Sequence, residues 1–134
     1  MKTLYIFCVL IAISFISCDK ETFSESFIFG LENDFKIYGE YHSTDNGLNF
    51  IITEINDSRC PSDVVCVWEG KADVKIDVTS PVKGSIKLST YNHLSDTIGN
   101  YSFELKDVSP YPISTKTIKL EDYNVTLKIV ELTD

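Results

Sequence analysis

The side chains whose type and spacing could do chemistry are four thiols, at Cys8, Cys18, Cys60 and Cys66. Five residues separate Cys60 from Cys66, so in an oxidising compartment they can form a disulfide that closes a seven-residue loop. The chain-entropy model values that closure at about 2.4 kcal/mol. Zinc fits less well, because this spacing exceeds the usual spacing of paired zinc ligands. We therefore predict a Cys60–Cys66 disulfide and no metal site, with free thiols as the remaining alternative.

No catalytic pattern accompanies these thiols. The sequence contains no G-x-S-x-G, no H-E-x-x-H and no phosphate-binding glycine loop. His42 and His93 lie in polar, turn-like segments, and although Asp96 lies near enough to orient His93, no nucleophile is marked. Neighbouring Asn and Asp residues match no EF-hand loop. The sequence thus predicts a non-enzymatic protein with no catalytic residues and no cofactor.

The N-terminal segment has the layout of a secretory signal. Lys2 supplies a positive charge, and residues 4–16 form a 13-residue apolar run. That run suits a signal helix but is too short to span a bilayer, which needs about 20 residues. Export would place Cys60 and Cys66 in an oxidising compartment, which favours the disulfide.

The end of this segment resembles the bacterial lipobox, with a bulky Phe15 at −3 and a small Ser17 at −1 relative to Cys18. The resemblance implies cleavage after residue 17 and lipid on the Cys18 sulfur and amine, which would anchor the chain to a membrane. Two alternatives remain: plain secretion with a mature chain starting at Phe15, or an uncleaved anchor.

Composition narrows the classes of partner. Residues 1–17 carry one lysine and no acid, so their removal leaves 117 of 134 residues and changes the net charge from −8 to −9. An acidic chain of this kind is unsuited to nucleic acid or to anionic lipid head groups. The remaining length is that of one domain. The sequence therefore predicts a monomeric module whose partner is a protein or a glycan.

Apolar residues alternate with polar ones along most of the chain. The clearest case is residues 71–78, where Ala72, Val74, Ile76 and Val78 share one face. Residues 64–68 lead into this strand. The other predicted strands are residues 27–29, 35–41, 48–55, 86–91, 101–105, 117–120 and 123–132.

Short strands separated by turn signals predict an all-β fold. About seven to nine of them favour an antiparallel β-sandwich, with a small β-barrel as the alternative. The predicted organisation is a lipoprotein signal peptide over residues 1–17, then the acylated cysteine and a polar tether over residues 18–26, and a single β-sandwich domain over residues 27–134.

One motif resembles a family signature. Residues 59–70 match R-C-P-x4-C-x-W-x-G, found in small lipoproteins common among Bacteroidota, and residues 108–112 and 121–125 also look like that family. The resemblance implies an outer-membrane lipoprotein, facing the periplasm or the cell surface, and no particular activity. In such lipoproteins an acidic segment, or one of lysine and acidic residues, directly after the lipid-carrying cysteine looks like a surface-export signal. Residues 19–21 of this chain are a partial match to it. Asp96-Thr97-Ile98 resembles an O-glycosylation site, which makes Thr97 a candidate glycan carrier.

The same motif has a structural and a functional interpretation. Structurally, the disulfide staples an irregular loop to a strand, Trp68 covers the disulfide, and Arg59 pairs with Asp57 or Asp63. Functionally, Arg59, Asp63 and Trp68 form a candidate binding loop, and Arg59 beside Cys60 could present a basic tip to a protease. Exposed tyrosines could instead stack on a glycan; the candidates are Tyr38, Tyr41, Tyr91 and Tyr111.

These observations together predict a lipid-anchored, non-enzymatic β-sandwich of the cell envelope, acting as a binding or accessory module. The competing function is protease inhibition by the Arg59–Cys60 loop.

Overall fold

The computed structural model describes residues 24–45 and 47–133 and consists of β-strands. The predicted signal helix, Cys18 and the first part of the tether lie outside these residues. A single 3-10 turn covers Leu120–Asp122. The nine strands are β1 Ser24–Phe27, β2 Glu32–Phe35, β3 Glu40–Ser43, β4 Asn49–Asp57, β5 Ala72–Ser80, β6 Gly84–Ser89, β7 Ser95–Ile98, β8 Tyr101–Ser109 and β9 Asn124–Glu131.

The strands form two sheets that face each other. One has the order β1-β3-β4-β5-β6 and the other the order β2-β9-β8-β7. The predicted β-sandwich is confirmed, and the alternative of a barrel is wrong because the two sheets do not close on themselves. Every pair of strands is antiparallel except β1 and β3, which run parallel. The parallel pair arises because β1 and β3 are separated by β2, which belongs to the other sheet.

The core lies between the sheets and is made by alternating side chains. Ala72, Val74, Ile76 and Val78 of β5 are buried, as the sequence predicts. An aromatic cluster fills the centre, where Phe50 makes edge-to-face contacts with Phe27, Phe35 and Phe103. Burial of these side chains is the main source of stability for the sandwich.

Apart from residues 64–68, three predicted strands differ from the structure. Residues 35–41 are two strands in different sheets, because the chain turns at Tyr38, whose φ is +63°, and crosses between the layers. Residues 117–120 form no strand. β1 begins at Ser24, so it overlaps the predicted tether and ends before residues 28 and 29.

Strand β7 was not predicted, because its residues are polar or only half buried. It lies at a sheet edge and pairs only with β8, so it has little need of apolar alternation. Among the described residues, none forms a helix with the length and apolar character needed to cross a membrane.

The two ends of the sandwich differ. We call the end where β4 finishes at Asp57 and β5 starts at Ala72 the loop end. β4 runs towards the loop end and β5 runs away from it. The β5–β6 turn, which contains Val82, therefore lies at the opposite end.

Candidate functional site: the disulfide loop

The β4–β5 connection extends the hairpin beyond the sheet. The Ser58 amide donates to the Lys71 carbonyl and the Cys60 amide to the Glu69 carbonyl, both at 2.8 Å, so strand-like pairing continues past Asp57. The predicted disulfide between Cys60 and Cys66 is confirmed, with the two Cα atoms 5.9 Å apart. We call residues 59–70 the disulfide loop. Its base is a paired ribbon and its tip is covalently closed.

Gly70 allows the two sides of this ribbon to meet. It has a φ of +67°, which side-chain-bearing residues rarely adopt. A Cβ atom on Gly70 would lie 1.9 Å from the Ser58 carbonyl oxygen. The final glycine of the sequence motif is therefore required by the backbone on two separate counts.

Arg59 fixes the base of the disulfide loop to the second sheet. Its Nε and Nη2 donate to the two carboxylate oxygens of Asp57 at 2.8 and 2.7 Å, and both side chains are about 95% buried, with 6% and 4% exposed. The Nη1 donates to the Val108 carbonyl at 2.7 Å and Nη2 to the Pro110 carbonyl at 3.2 Å. The guanidinium also lies 4.4 Å from the centre of the Tyr111 ring. Arg59 therefore has the structural role and is not at the exposed tip.

This buried pair stays charged at neutral pH. Burial alone would raise the pKa of the Asp57 carboxyl, but hydrogen bonds and charge from Arg59, with a hydrogen bond from Tyr123, hold it below the usual value. Burial opposes charge on Arg59 too, yet Asp57 outweighs it and raises the Arg59 pKa. Burial, and then Asp57, raise the pKa of Tyr123 to about 12. Tyr123 is thus a neutral donor to Asp57, at 3.0 Å.

A second set of hydrogen bonds holds the middle of the disulfide loop. The Asp63 carboxylate accepts from the Ser114 amide at 2.8 Å and from the Ser114 hydroxyl at 2.6 Å. The Ser62 amide donates to the Pro112 carbonyl at 3.0 Å. The hydrogen bonds from Ser114 lower the pKa of Asp63, which keeps it ionised. Asp63 therefore anchors the loop to residues 110–116 and does not pair with Arg59.

The tip of the disulfide loop points apolar side chains into solvent. Val65, Val67 and Trp68 are 101%, 92% and 82% exposed, and Val64 is about half exposed. The prediction that residues 64–68 enter a strand with Trp68 packed over the disulfide is wrong. The disulfide closes residues 60–66 into a turn beyond the sheet, so Trp68 has no opposing layer to pack against.

A shallow groove runs beside the tip. Trp68 and Tyr91 contribute aromatic surface to a space of about 520 Å³, which Glu69 and Lys71 border with charge. Tyr91 lies after β6, which ends at the loop end of the sandwich, and this position explains why residues distant in sequence meet. The groove joins the exposed tip to the body of the domain.

The histidines and Thr97 lie outside the disulfide loop. The His93 ring lies 3.4 Å from Asp96, and both side chains are exposed. His42 lies 3.2 Å from the Ser24 hydroxyl. Thr97 is exposed on the edge strand β7. In residues 24–45 and 47–133 no cluster of His, Cys, Asp or Glu side chains is suited to hold a metal ion.

The glycan interpretation loses one of its four tyrosines. Tyr41 is buried in the core and its hydroxyl bonds to the Lys36 backbone. Tyr111 supports the Arg59 guanidinium with one face of its ring. Tyr38 and Tyr91 are exposed, and Tyr91 alone shares the groove with Trp68.

Sequence reasoning missed the partners that lie on other strands. Ser114 and Tyr123 are separated from Asp63 and Asp57 by 51 and 66 residues, so no local spacing connects them. The only local signal is the pair of prolines, Pro110 and Pro112, in the segment that contacts the loop. Prolines interrupt strand pairing, so the carbonyls of this segment are free to accept hydrogen bonds from Arg59 and Ser62.

Comparison with known proteins adds no relative: no family model, no curated protein and no solved structure matches the chain.

Proposed function

We propose that this protein is a lipid-anchored, non-enzymatic module of the bacterial outer membrane that makes contacts through its disulfide loop. The carrying observation is the combination of a fixed base and an exposed apolar tip. Four of the five residues 59–63 hold the loop, namely Arg59, Cys60, Ser62 and Asp63. Val65, Val67 and Trp68 lie in solvent. A loop that is already ordered loses little conformational entropy on binding, so the burial of its apolar side chains is converted into affinity.

The anchor is supported by the sequence. The lipobox-like residues before Cys18 and the short polar segment after it suit lipid attachment followed by a tether. Lipidation also accounts for the cysteine count, because Cys8 leaves with the signal while Cys60 and Cys66 are paired.

A non-enzymatic function is supported by the roles of the charged side chains in the disulfide loop. Of its three charged side chains, Arg59 and Asp63 are occupied by structural hydrogen bonds, so neither is positioned to act on a substrate, and the third, Glu69, has no histidine or nucleophile within the loop. Protease inhibition through Arg59 loses its main support, because a buried guanidinium cannot enter a protease pocket.

Glycan binding is a second candidate, favoured by the groove that Trp68 and Tyr91 line beside Glu69 and Lys71. Aromatic faces next to hydrogen-bonding groups are suited to sugar rings.

Mass spectrometry of the protein purified from bacterial envelopes tests the anchor. We expect an N-terminal peptide that begins at Cys18 and carries two or three acyl chains on its sulfur and amine. A Cys18→Ser variant should leave the membrane fraction. An unmodified N-terminus at Phe15 would show that the protein is secreted without lipid and would overturn the anchor.

A further inference from the structure

We propose that the loop end of the sandwich binds an uncharged oligosaccharide chain, which crosses from the groove at Trp68 into a second groove beside β8. The inference rests on the proposed contact surface at the disulfide loop and names its occupant. Three observations carry it: two grooves that adjoin, aromatic side chains on fixed supports, and two carboxylates to which no described residue bonds.

Two grooves of similar size lie side by side at the loop end. The groove at Trp68 measures about 520 Å³ and the second about 510 Å³, both within the usual range of ligand sites. Glu69, Gly70 and Tyr91 line both grooves, so the grooves adjoin at these residues. The second groove continues to residues 105–107 of β8, in the opposite sheet. Because packed sheets lie about 10 Å apart, a ligand that fills both grooves must be longer than one sugar ring.

Tyr91, at the junction of the grooves, stands on a fixed turn. It follows β6, where the Ser89 amide donates to the His93 carbonyl at 2.8 Å. The Thr90 amide donates to the Ala72 carbonyl at 2.9 Å, which ties the same turn to β5. A ring that is already positioned can stack on the C–H face of a sugar with little loss of conformational entropy.

Trp68 and Tyr111 provide aromatic surface on either side of Tyr91. Trp68 lines only the first groove and Tyr111 only the second. The Tyr111 ring is half exposed and is held by the Arg59 guanidinium, 4.4 Å from its centre. The three aromatic side chains therefore form a series from the disulfide loop to the end of β8, as a ligand made of successive rings requires.

The charged side chains of the grooves favour a neutral ligand rich in hydroxyl groups. Lys71 and Lys106 already have carboxylate partners. Glu69 and Asp107 are exposed, and no residue in the described part of the chain forms an ion pair or a hydrogen bond with either carboxylate. Sugar hydroxyls can donate to these carboxylates, whereas the net charge of −8 repels an anionic chain. A protein that covered both carboxylates would have to supply a cation to each.

Isothermal titration calorimetry of the purified protein with β-linked glucose chains tests the proposal, because such chains are neutral and have flat C–H faces. We expect cellohexaose, which can occupy both grooves, to bind at least about tenfold more tightly than cellobiose, which can occupy only one. Trp68 is the sole tryptophan, so its emission should shift to shorter wavelength when the chain covers the indole.

Tyr91→Ala removes the side chain that the two grooves share and should lower the affinity for cellohexaose about tenfold or more. Tyr38→Ala is the matched control, because Tyr38 is also exposed but lines neither groove, and it should leave the affinity unchanged. Asp107→Asn keeps the shape of the second groove and should lower the affinity roughly fivefold, since it weakens a charge-assisted hydrogen bond. Circular dichroism checks that each variant is folded.

Absence of binding at millimolar cellohexaose would overturn the proposal, while photo-cross-linking from the loop to another envelope component would still support the contact surface. Equal affinities for cellobiose and cellohexaose would limit the ligand to one groove and contradict the crossing chain. Binding that Tyr91→Ala leaves unchanged would place the sugar elsewhere and also overturn the proposal. So would a dimer that Trp68→Ala dissociates, because it would assign the loop end to a second copy.

Discussion

Replacing Gly70 with alanine should lower the free energy of unfolding by roughly 3 kcal/mol or more. Two costs combine in this variant. The positive φ of +67° is strained for any residue with a Cβ, and the added atom would lie 1.9 Å from the Ser58 carbonyl. The Cβ atom is attached directly to the backbone of residue 70, and the Ser58 oxygen is itself a backbone atom. Neither can rotate away, so the two sides of the hairpin must separate to relieve the contact. Urea unfolding followed by far-ultraviolet circular dichroism measures the change.

Gly30→Ala is the matched control. Gly30 also has a positive φ, +79°, but no atom lies within 4 Å of the position its Cβ would take. We expect Gly30→Ala to lower the free energy of unfolding only by the backbone strain of the positive φ, about 1 kcal/mol. Equal costs for the two variants would show that the close approach of Gly70 to Ser58 does not exist.

Replacing Arg59 with methionine should cost about 3–5 kcal/mol, because it leaves the buried Asp57 carboxylate without its partner. Three further hydrogen bonds to Val108, Pro110 and the second Asp57 oxygen are lost at the same time. The disulfide loop should then detach from residues 108–111. Urea unfolding gives the energy, and hydrogen exchange at the loop amides gives the detachment.

Lys106→Met is the control for this prediction. The Lys106 Nζ lies 2.6 Å from the Glu104 Oε1, but both side chains are substantially exposed. The expected loss in the free energy of unfolding is therefore at most about 1 kcal/mol. The double variant Asp57→Asn with Arg59→Met should recover part of the loss, since it removes both charges. A cost for Arg59→Met as small as that for Lys106→Met would contradict the buried network.

The pH dependence of Arg59→Met should also differ in sign from that of the wild type. In the wild type the pKa of Asp57 is lowered, so its contribution to stability is present above the unfolded-state pKa of about 3.9 and is lost as the pH falls through the folded-state value. Without Arg59, burial alone raises the Asp57 pKa, and protonation then relieves the buried charge. The difference in stability between the two proteins should therefore narrow as the pH falls, first above about 4 as the raised Asp57 pKa of the variant is crossed, and then below about 4 as the wild type loses the contribution of Asp57.

The sandwich could be predicted from the sequence because each central strand has one face towards solvent and one face towards the core. Apolar and polar residues alternate in β5 up to Val78 and in β9 up to Ile129, and the apolar residues of that alternation are the ones buried in the core. The break between β2 and β3 could not be predicted in this way, since Phe35, Ile37 and Tyr41 are all buried although Phe35 and Tyr41 belong to different sheets and Ile37 lies in the connection between them.

The candidate site was predicted only in part for a related reason. The spacing of Cys60 and Cys66 is local and indicated the disulfide, whereas the partners of Arg59 and Asp63 lie far along the chain. Trp68 was predicted to cover the disulfide because it follows Cys66 by two residues, which would place both side chains on the same face of an extended strand. Its exposure is a tertiary property, decided by the absence of a layer beyond the end of the sheet. Such exposure of a large apolar side chain on a fixed loop is itself an indication of a contact surface.

Photo-cross-linking in the bacterial envelope tests most directly whether the disulfide loop is the contact surface of this protein. A photoreactive residue in place of Val65 should form cross-links to lipid or to another envelope component, whereas the same residue in place of Val82, at the opposite end of the sandwich, should not. Equal cross-linking from the two positions, or none from position 65, would contradict the account.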